Sequence, residues 1–302
     1  MTDLPTFSVV IPTYARPERL RACLAALPRL DYPSEHFEVV VVDDGSPSPL
    51  DAVVAPFRSR VRLTLFRQPN RGPAAARNAG AARAAGAFLA FTDDDCAPEP
   101  GWLAALRDRF AAVPNQLLGG RTVNALPSNP FSAASQDLLD YLYEYFPRAH
   151  GLSPFFASNN LAVPAARFHQ LGGFDEDFPL AAGEDRDFCD RWRERGWPAA
   201  FAGDAVVRHA HHLSLRPFWR QHFNYGRGAA HLQAARARRL EVYRLKPEPL
   251  GFYAGMLRYP FAHYTFGKAA LRTLLMALSQ TATAAGYMSE AGPRARHRQG
   301  SS

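Results

Sequence analysis

FSVVIPTYARPERL, residues 7–20, sets a nearly continuous apolar run against a sudden Thr-Tyr break and a proline. Such a run marks a strand covered on both faces, as in a parallel sheet, and not the alternating strand of a half-exposed one. Pro17 stands where a first helical turn tolerates it. Leu20, Leu24 and Leu27 recur at intervals of four and three, which predicts a helix of about three turns. Working outward, EVVVV (38–42) repeats the pattern, VRLTLF (61–66) and AFLAFT (87–92) supply a third and fourth strand, and an alanine-rich helix runs from Pro73 to near Gly86. The first hundred residues therefore read β-α-β-α-β-α-β, an α/β fold whose parallel strands are joined by crossover helices.

Beyond that point the geometry reads as mixed. LLGGRTV (117–123) and FASNNLAV (156–163) are expected strands, with an aromatic-rich helical stretch, Phe131 to Phe146, between them. Phe188, Cys189 and Trp192 share one face of a helix over Arg186–Arg195 that Gly196 would cap, and a strand from Ala199 to Val207 leads into His209. After Pro217 the chain is helical, basic and aromatic. Thr273 to Ser289 is shorter and more polar than the roughly 20 apolar residues a membrane span needs. Leu271, Leu274, Leu275 and Leu278 instead mark an amphipathic helix. It either packs on its own domain or a dimer partner, or docks on a membrane surface with the help of Arg258, Lys268 and Arg272. The expected division is a domain over 1–212, a helical extension over 213–290 and a disordered tail over 291–302.

With 302 residues of which 47% are apolar, the chain can fill a core, which excludes a disordered or fibrous protein. Its three cysteines, Cys23, Cys96 and Cys189, are odd in number and form no C-x-x-C pair, so neither a disulfide framework nor a structural zinc site follows. That pattern and the absence of a basic-then-apolar leader in MTDLPTFSVV point to a reducing, cytoplasmic setting, at the inner face of the membrane if the C-terminal helix docks there. The net charge of +7 is uneven: from Arg208 onward fifteen Lys/Arg face three Glu, a balance of +12 that leaves −5 for residues 1–207. An acidic front suits a metal or carboxylate site and a basic tail an anionic partner.

In an open parallel sheet, ligands bind beyond the carboxyl ends of the strands. Three polar clusters stand there: Pro12-Thr13-Tyr14, Asp43-Asp44-Gly45-Ser46 and Asp93-Asp94-Asp95. The second is also good turn chemistry. The third calls for a cation, because carboxylates about 5 Å apart repel by roughly 3 kcal/mol at an effective dielectric near 20. Asp93 and Asp95, two apart in an extended segment, aim one way while Asp94 faces another. All-oxygen ligands suit Mg²⁺ or Mn²⁺.

Taken together, VVIPTYARPERL, VVVVDDGS, NRGPAAARNAG, FLAFTDDDCAPEPGWL and GGFDEDF…GEDRDFCDRWRERGW, spread from about Phe7 to about Gly228, resemble a family 2 glycosyltransferase. The resemblance implies a GT-A, Rossmann-like fold: a mixed, mainly parallel sheet flanked by helices, here with a C-terminal helical extension. It implies that Pro12, Thr13, Tyr14 and Asp44 hold the nucleotide base, with Arg77 and Asn78 beside base and ribose. Asp93 and Asp95 match the D-x-D motif, with Asp93 and Asp94 counted on the nucleotide side, Asp93 meeting ribose or metal, and Asp93, Asp95 and His209 as ligands of Mn²⁺ or Mg²⁺. Glu184-Asp185 matches the family's acidic pair, Asp185 being the general base; helix capping is the competing explanation. Trp219, Arg220, Gln221 and Arg227 match a later helix that could contact acceptor or phosphate, or simply pack. Asn159-Asn160 and Gly172-Gly173-Phe174-Asp175 match an acceptor-side region that equally suits turn formation.

The implied reaction is inverting transfer from a nucleoside-diphosphate sugar, a uridine diphosphate sugar being favoured, to a hydroxyl of a glycan or lipid-linked acceptor. A sugar nucleotidyltransferase would need a glycine-rich basic loop after the first strand, where this chain has PTYARPER. A non-catalytic glycan- or membrane-binding scaffold has no use for intact metal and base motifs. Neither G-x-G-x-x-G after a strand nor a P-loop occurs. Nucleic acid is not an expected partner, since Arg236, Arg238 and Arg239 form a local patch without a reading motif.

Overall fold

The computed structural model describes residues 6–150, 155–178, 182–240 and 248–299. Residues 1–5, which carry part of the leader reading, and 300–302 of the expected tail lie outside the described residues. The leading strands form as the sequence predicts: β1 (Phe7–Thr13), β2 (Phe37–Asp43), β3 (Arg62–Arg67) and β4 (Phe88–Thr92). They are parallel, β1 lying between β2 and β4 with β3 outside β2. Every residue of β2 is buried, as its unbroken apolar run requires of a strand covered on both faces.

The connecting helices are shorter than their patterns. α1 (Pro17–Leu24) stops two turns in, and Leu27–Arg29 continues only as a 3₁₀ turn. Pro28 has no N–H, and its ring would clash with the Leu24 carbonyl one helical turn back. Between β2 and β3 lies the short α2 (Asp51–Val54), which the apolar spacing does not reveal. α3 (Pro73–Ala81) ends five residues before Gly86 because other acceptors take the backbone: the Ala85 N–H donates to Glu38 Oε1 at 2.6 Å and the Gly86 N–H to Ser8 Oγ at 2.8 Å.

Next come the short β5 (Cys96–Pro98), α4 (Trp102–Ala112), β6 (Leu117–Asn124) and α5 (Pro130–His150). β7 (Asn160–Pro164), α6 (Ala165–Leu171), α7 (Glu184–Glu194) and β8 (Ala199–His209) complete the sheet region. The eight strands lie in the order β3-β2-β1-β4-β7-β6-β8-β5, with β7 antiparallel to β4 and β6, β6 parallel to β8, and β5 antiparallel to β8. β7 starts four residues later than its apolar run, where Asn160 anchors the sheet: its side chain accepts from Trp102 Nε1 at 2.9 Å and donates to the carbonyls of Arg121 and Ala205. Gly120 is what lets that amide in, since a Cβ there would lie 2.3 Å from it.

Two compact units emerge. One comprises Met1–Ala125, Pro154–Pro179 and Phe188–Ala210, and so holds the whole sheet; its core joins Phe7, Ile11 and Leu24 to Trp102, Leu103 and Phe110. Each such fully buried side chain contributes about 1.5–3 kcal/mol. The other takes Leu126–Ser153, Leu180–Asp187 and His211–Ser302, so that α5 and the start of α7 join the C-terminal helices α8 (Leu215–Arg239), α9 (Leu250–His263) and α10 (Phe266–Gln299). α10 takes in residues 291–299, which the sequence assigns to a disordered tail; a helix once nucleated propagates at little cost.

In the second unit α10 turns inward a face different from the expected leucine stripe. Ala269, Leu275, Met276, Ser279 and Ala282 are buried, whereas Leu271 and Leu274 are exposed. Arg272, expected among the surface cations, is drawn inward to Asp137 at 2.7 Å, and Tyr264 donates to the same carboxylate. α8 and α10 cross at glycines. A Cβ on Gly226 would stand 1.9 Å from the Thr283 carbonyl oxygen, and one on Gly286 would stand 1.9 Å from that of Phe223. Gly226→Ala is therefore expected to destabilise the fold by about 1–3 kcal/mol, since overpacking against backbone outweighs alanine's helix propensity. A melting temperature equal to wild type would show that the crossing has room to spare.

Candidate active site

The carboxyl ends of β1, β2 and β4 bring the three polar clusters to one edge of the sheet. After β1 the chain turns through Tyr14 and Ala15, and Ala15 adopts φ 54°, a left-handed value that costs a non-glycine residue of order 1 kcal/mol or more. Ser46, from the loop after β2, holds that turn: its hydroxyl accepts the Ala15 N–H at 2.9 Å. Ser46 is in turn fixed by its own N–H donating to Asp43 Oδ1 at 2.8 Å.

Asp44 is buried and already accepts three N–H donors. Gln68 Nε2 and the Arg71 N–H reach Oδ1 at 2.8 and 3.0 Å, and the Gly72 N–H reaches Oδ2 at 2.9 Å. A carboxylate offers about four acceptor positions, so one stays open. Gln68, Arg71 and Gly72 are not among the residues the sequence singles out; the NRG turn just before α3 is the available signal. Arg77 is buried on α3 and donates to Asp93 Oδ1 at 2.7 Å. Asn78, which the resemblance sets beside base and ribose, has its amide engaged within the protein. Its amide grips Phe174, donating to the carbonyl at 2.8 Å and accepting the N–H at 2.9 Å, and it also donates to Glu176. Its work in the structure is to hold the Gly172–Glu176 segment, whose two glycines have φ of 86° and 70°.

The three aspartates after β4 diverge. Asp94 turns into the protein, where it accepts from Thr13 Oγ1 at 2.7 Å and Arg16 Nη1 at 3.3 Å and so ties the end of β1 to the end of β4. Burial pushes its carboxyl up to about 6, against the opposing pull of Arg16. Asp94 is thereby joined to Thr13, one of the residues on the nucleotide side in the resemblance. Asp95 faces the guanidiniums of Arg19, Nη1 at 3.0 Å, and Arg16, Nη1 at 3.8 Å, and the His209 imidazole, Nε2 at 3.2 Å. Arg16 and Arg19 escape the sequence reading, although their spacing at the start of the helix after β1 turns both toward this edge.

His209 reaches Asp95 through sheet register, since β5 pairs Cys96 with His209 and the Ala210 N–H donates to the Asp95 carbonyl at 2.8 Å. Burial pulls the His209 imidazole down, but the hydrogen bond and charge of Asp95, with Asp93, prevail and raise its pKa. Ligand atoms of Asp95, Cys96 and His209 lie within 4.8 Å of one another, which fits a divalent cation. Cys96 is buried, and burial together with Asp93 and Asp95 raises its thiol well above the usual value, so the oxygen and imidazole donors are the ligands at hand. That set suits Mn²⁺ or Mg²⁺.

In the second unit, α7 begins at Glu184, two residues ahead of the helix read from the sequence, so that Glu184 and Asp185 lie in its first turn; Glu184 is buried and Asp185 half-buried. Asp185 Oδ1 accepts the Arg186 N–H at 2.8 Å, one of the first-turn amides that have no partner within the helix. On α8, Gln221 Nε2 donates to the Tyr225 hydroxyl at 2.9 Å. Desolvation of that hydroxyl, with the charge of Asp185 adding to it, pushes the Tyr225 phenol up to about 12. The structure thus brings Gln221 and Tyr225 into the electrostatic neighbourhood of Asp185, while Trp219 and Arg220 remain exposed. Arg227 is diverted: it pairs with Glu290 at 2.6 Å and so joins α8 to α10. Asn159, accepting from Thr122, and Asn160 hold the sheet.

A glycosyl transferase family 2 model matches residues 8–162. The chain is 28% identical to a glycosyltransferase, AglE, of Haloferax volcanii over 87% of this chain and 84% of that protein. It is 33% identical to a pre-mycofactocin glycosyltransferase of Mycobacterium tuberculosis over 74% of this chain, spanning 47% of that longer protein. Among solved structures, it superposes with TM-score 0.64 on the mannosyltransferase PcManGT of Pyrobaculum calidifontis in complex with GDP-Man and Mn²⁺, at 22% identity over 97% of this chain and 87% of that one. S. aureus TarS in complex with UDP-GlcNAc matches with TM-score 0.55 at 18% identity, over 98% and 92% of the two chains. These likenesses establish the fold as a mixed, mainly parallel sheet flanked by helices.

Proposed function

The chain belongs to glycosyl transferase family 2, and from that premise we propose that it transfers a sugar, with inversion, from a nucleoside diphosphate to a hydroxyl of a glycan or lipid-linked acceptor. The observation that carries the reading is the meeting of Asp93, Asp95 and His209 at the edge of the sheet, with Arg16, Arg19 and Arg77 against the same carboxylates. Asp95 and His209, with Asp93 beside them, would hold Mn²⁺ or Mg²⁺, which supplies neutralisation of charge on a departing diphosphate. The three guanidiniums can exchange carboxylate for phosphate oxygens, which they grip with comparable geometry.

Base recognition falls to Asp44. With one acceptor position open, it can take a single ring N–H, as uracil presents at N3. Guanine offers two adjacent donors to one carboxylate and would have to displace a protein N–H. That asymmetry supports a uridine diphosphate donor. Tyr14, exposed at the end of the β1 turn, is free to cover the base.

Asp185 is the general base, taking the proton of the attacking hydroxyl as the new bond forms at the anomeric carbon. Tyr225, held protonated by its raised pKa, is no competitor for that role. A thermal-shift screen with Mn²⁺ tests the donor assignment, since a ligand at about a hundred times its Kd stabilises the folded state by about 2.7 kcal/mol. Uridine diphosphate sugars are expected to raise the melting temperature and guanosine diphosphate sugars to leave it unchanged. A shift with guanosine alone would overturn the reading of Asp44.

A further inference from the structure

The second unit carries an apolar surface for which the transfer reaction has no use. The chain between α9 and α10 is exposed from Phe261 through Lys268, and it holds Phe261, Tyr264 and Phe266. Phe266 is 78% exposed, and its ring centroid lies 5.9 Å from that of Phe261. The surface continues along α10: Phe266, Ala270 and Leu274 recur at intervals of four on its outer face, with Leu271 beside them, and Leu274 is 66% exposed. The buried face of the same helix lies on the other side, at Ala269, Met276, Ser279 and Ala282. A helix with one face packed and a second apolar face in water departs from the single stripe of an ordinary surface helix.

We propose that this hairpin and the first turns of α10 dock on an anionic lipid bilayer, the aromatic tip entering the headgroup boundary. Charge selects this occupant. No Asp or Glu occurs from Pro249 to Ser289, while Arg258 and Lys268 flank the aromatic tip and are exposed. Two copies of the chain meeting face to face would bring those cations together with no carboxylate of the stretch to neutralise them. Anionic headgroups supply that counter-charge, each nearby Lys or Arg strengthening binding about five-fold, or about 1 kcal/mol. Aromatic and aliphatic side chains at the boundary add the apolar part, as in helices that lie in the membrane plane. No helix among the described residues is long and apolar enough to cross a membrane, so the contact is peripheral. The inference goes beyond the transferase reading and is tested without any sugar chemistry, so either can fail alone.

The full chain is sedimented with phosphatidylcholine vesicles prepared with and without phosphatidylglycerol. It is expected to pellet with the anionic vesicles only, and less so as salt is raised. Phe266→Ser should weaken the partition about 30-fold, the equivalent of about 2 kcal/mol for one buried apolar side chain. Arg258→Glu combined with Lys268→Glu should remove the preference for anionic lipid. Phe266→Trp, which keeps an aromatic at the tip, should bind and shift its emission to the blue on anionic vesicles. Unchanged circular dichroism of the variants separates lost docking from lost folding. Absence of pelleting by wild type, an indole emission of the Phe266→Trp variant that stays red, or a self-associated species in sedimentation that Phe266→Ser dissociates would each overturn the proposal.

Discussion

Asp95→Asn is expected to lower sugar transfer by about 10³-fold or more, the equivalent of about 4 kcal/mol of lost stabilisation of the departing diphosphate. The substitution keeps the shape of the side chain and removes the charge. It therefore removes a carboxylate that faces His209, Arg19 and Arg16 together. Asp94→Asn is the informative control, because that carboxylate turns inward to Thr13 and Arg16 and not toward His209. A neutral amide there should cost far less activity. Mn²⁺ titration of the two variants, read by paramagnetic resonance, should show lost affinity in the first and near-normal affinity in the second. Wild-type transfer by Asp95→Asn, or full activity of the unaltered chain in excess chelator, would remove the metal from the mechanism.

The second large effect concerns Asp185. Its Oδ1 accepts the Arg186 N–H, so a purely structural role at the start of α7 is a live rival to catalysis. Asparagine separates the two, since its amide oxygen can still accept that N–H but cannot take a proton from an attacking hydroxyl. Asp185→Asn is thus expected to cut turnover by about 10²–10⁴-fold while the thermal shift produced by donor and Mn²⁺ stays as in wild type. Asp185→Ala should add a loss of stability of about 0.3–1 kcal/mol from the missing first-turn carboxylate. If Asp185→Asn turns over normally and Asp185→Ala is merely less stable, Asp185 is a cap and the base lies elsewhere.

Much of the sheet can be read from the chain because its strands are local statements. FSVVIP and EVVVV are apolar throughout, and nothing except burial on both faces accommodates that. Helix ends are harder, because groups distant in sequence decide them: Glu38 and Ser8 capture the backbone at Ala85 and Gly86 and cut α3 short. The same holds at the site. Asp93 and Asp95 stand out as a charge run, and His209 is reachable through its resemblance, but Arg16 and Arg19 gain meaning only once β1 and β4 are neighbours. Asn78 and Arg227 match a motif, yet their side chains are committed to Phe174 and to Glu290. Motif position fixes where a residue sits, while packing decides what its polar atoms hold.

With His209 neutral, the carboxylates of Asp93, Asp94 and Asp95 and the guanidiniums of Arg16, Arg19 and Arg77 sum to electroneutrality. A divalent ion arriving by itself would leave this edge with two surplus positive charges, and a nucleotide arriving by itself would leave it negative. Arriving as a pair, they restore the starting balance and release the arginines for the phosphates. On the proposed reading, thermodynamic reciprocity would then make each tighten the hold on the other, and loading would be a concerted event with the resting protein as its own counter-ion.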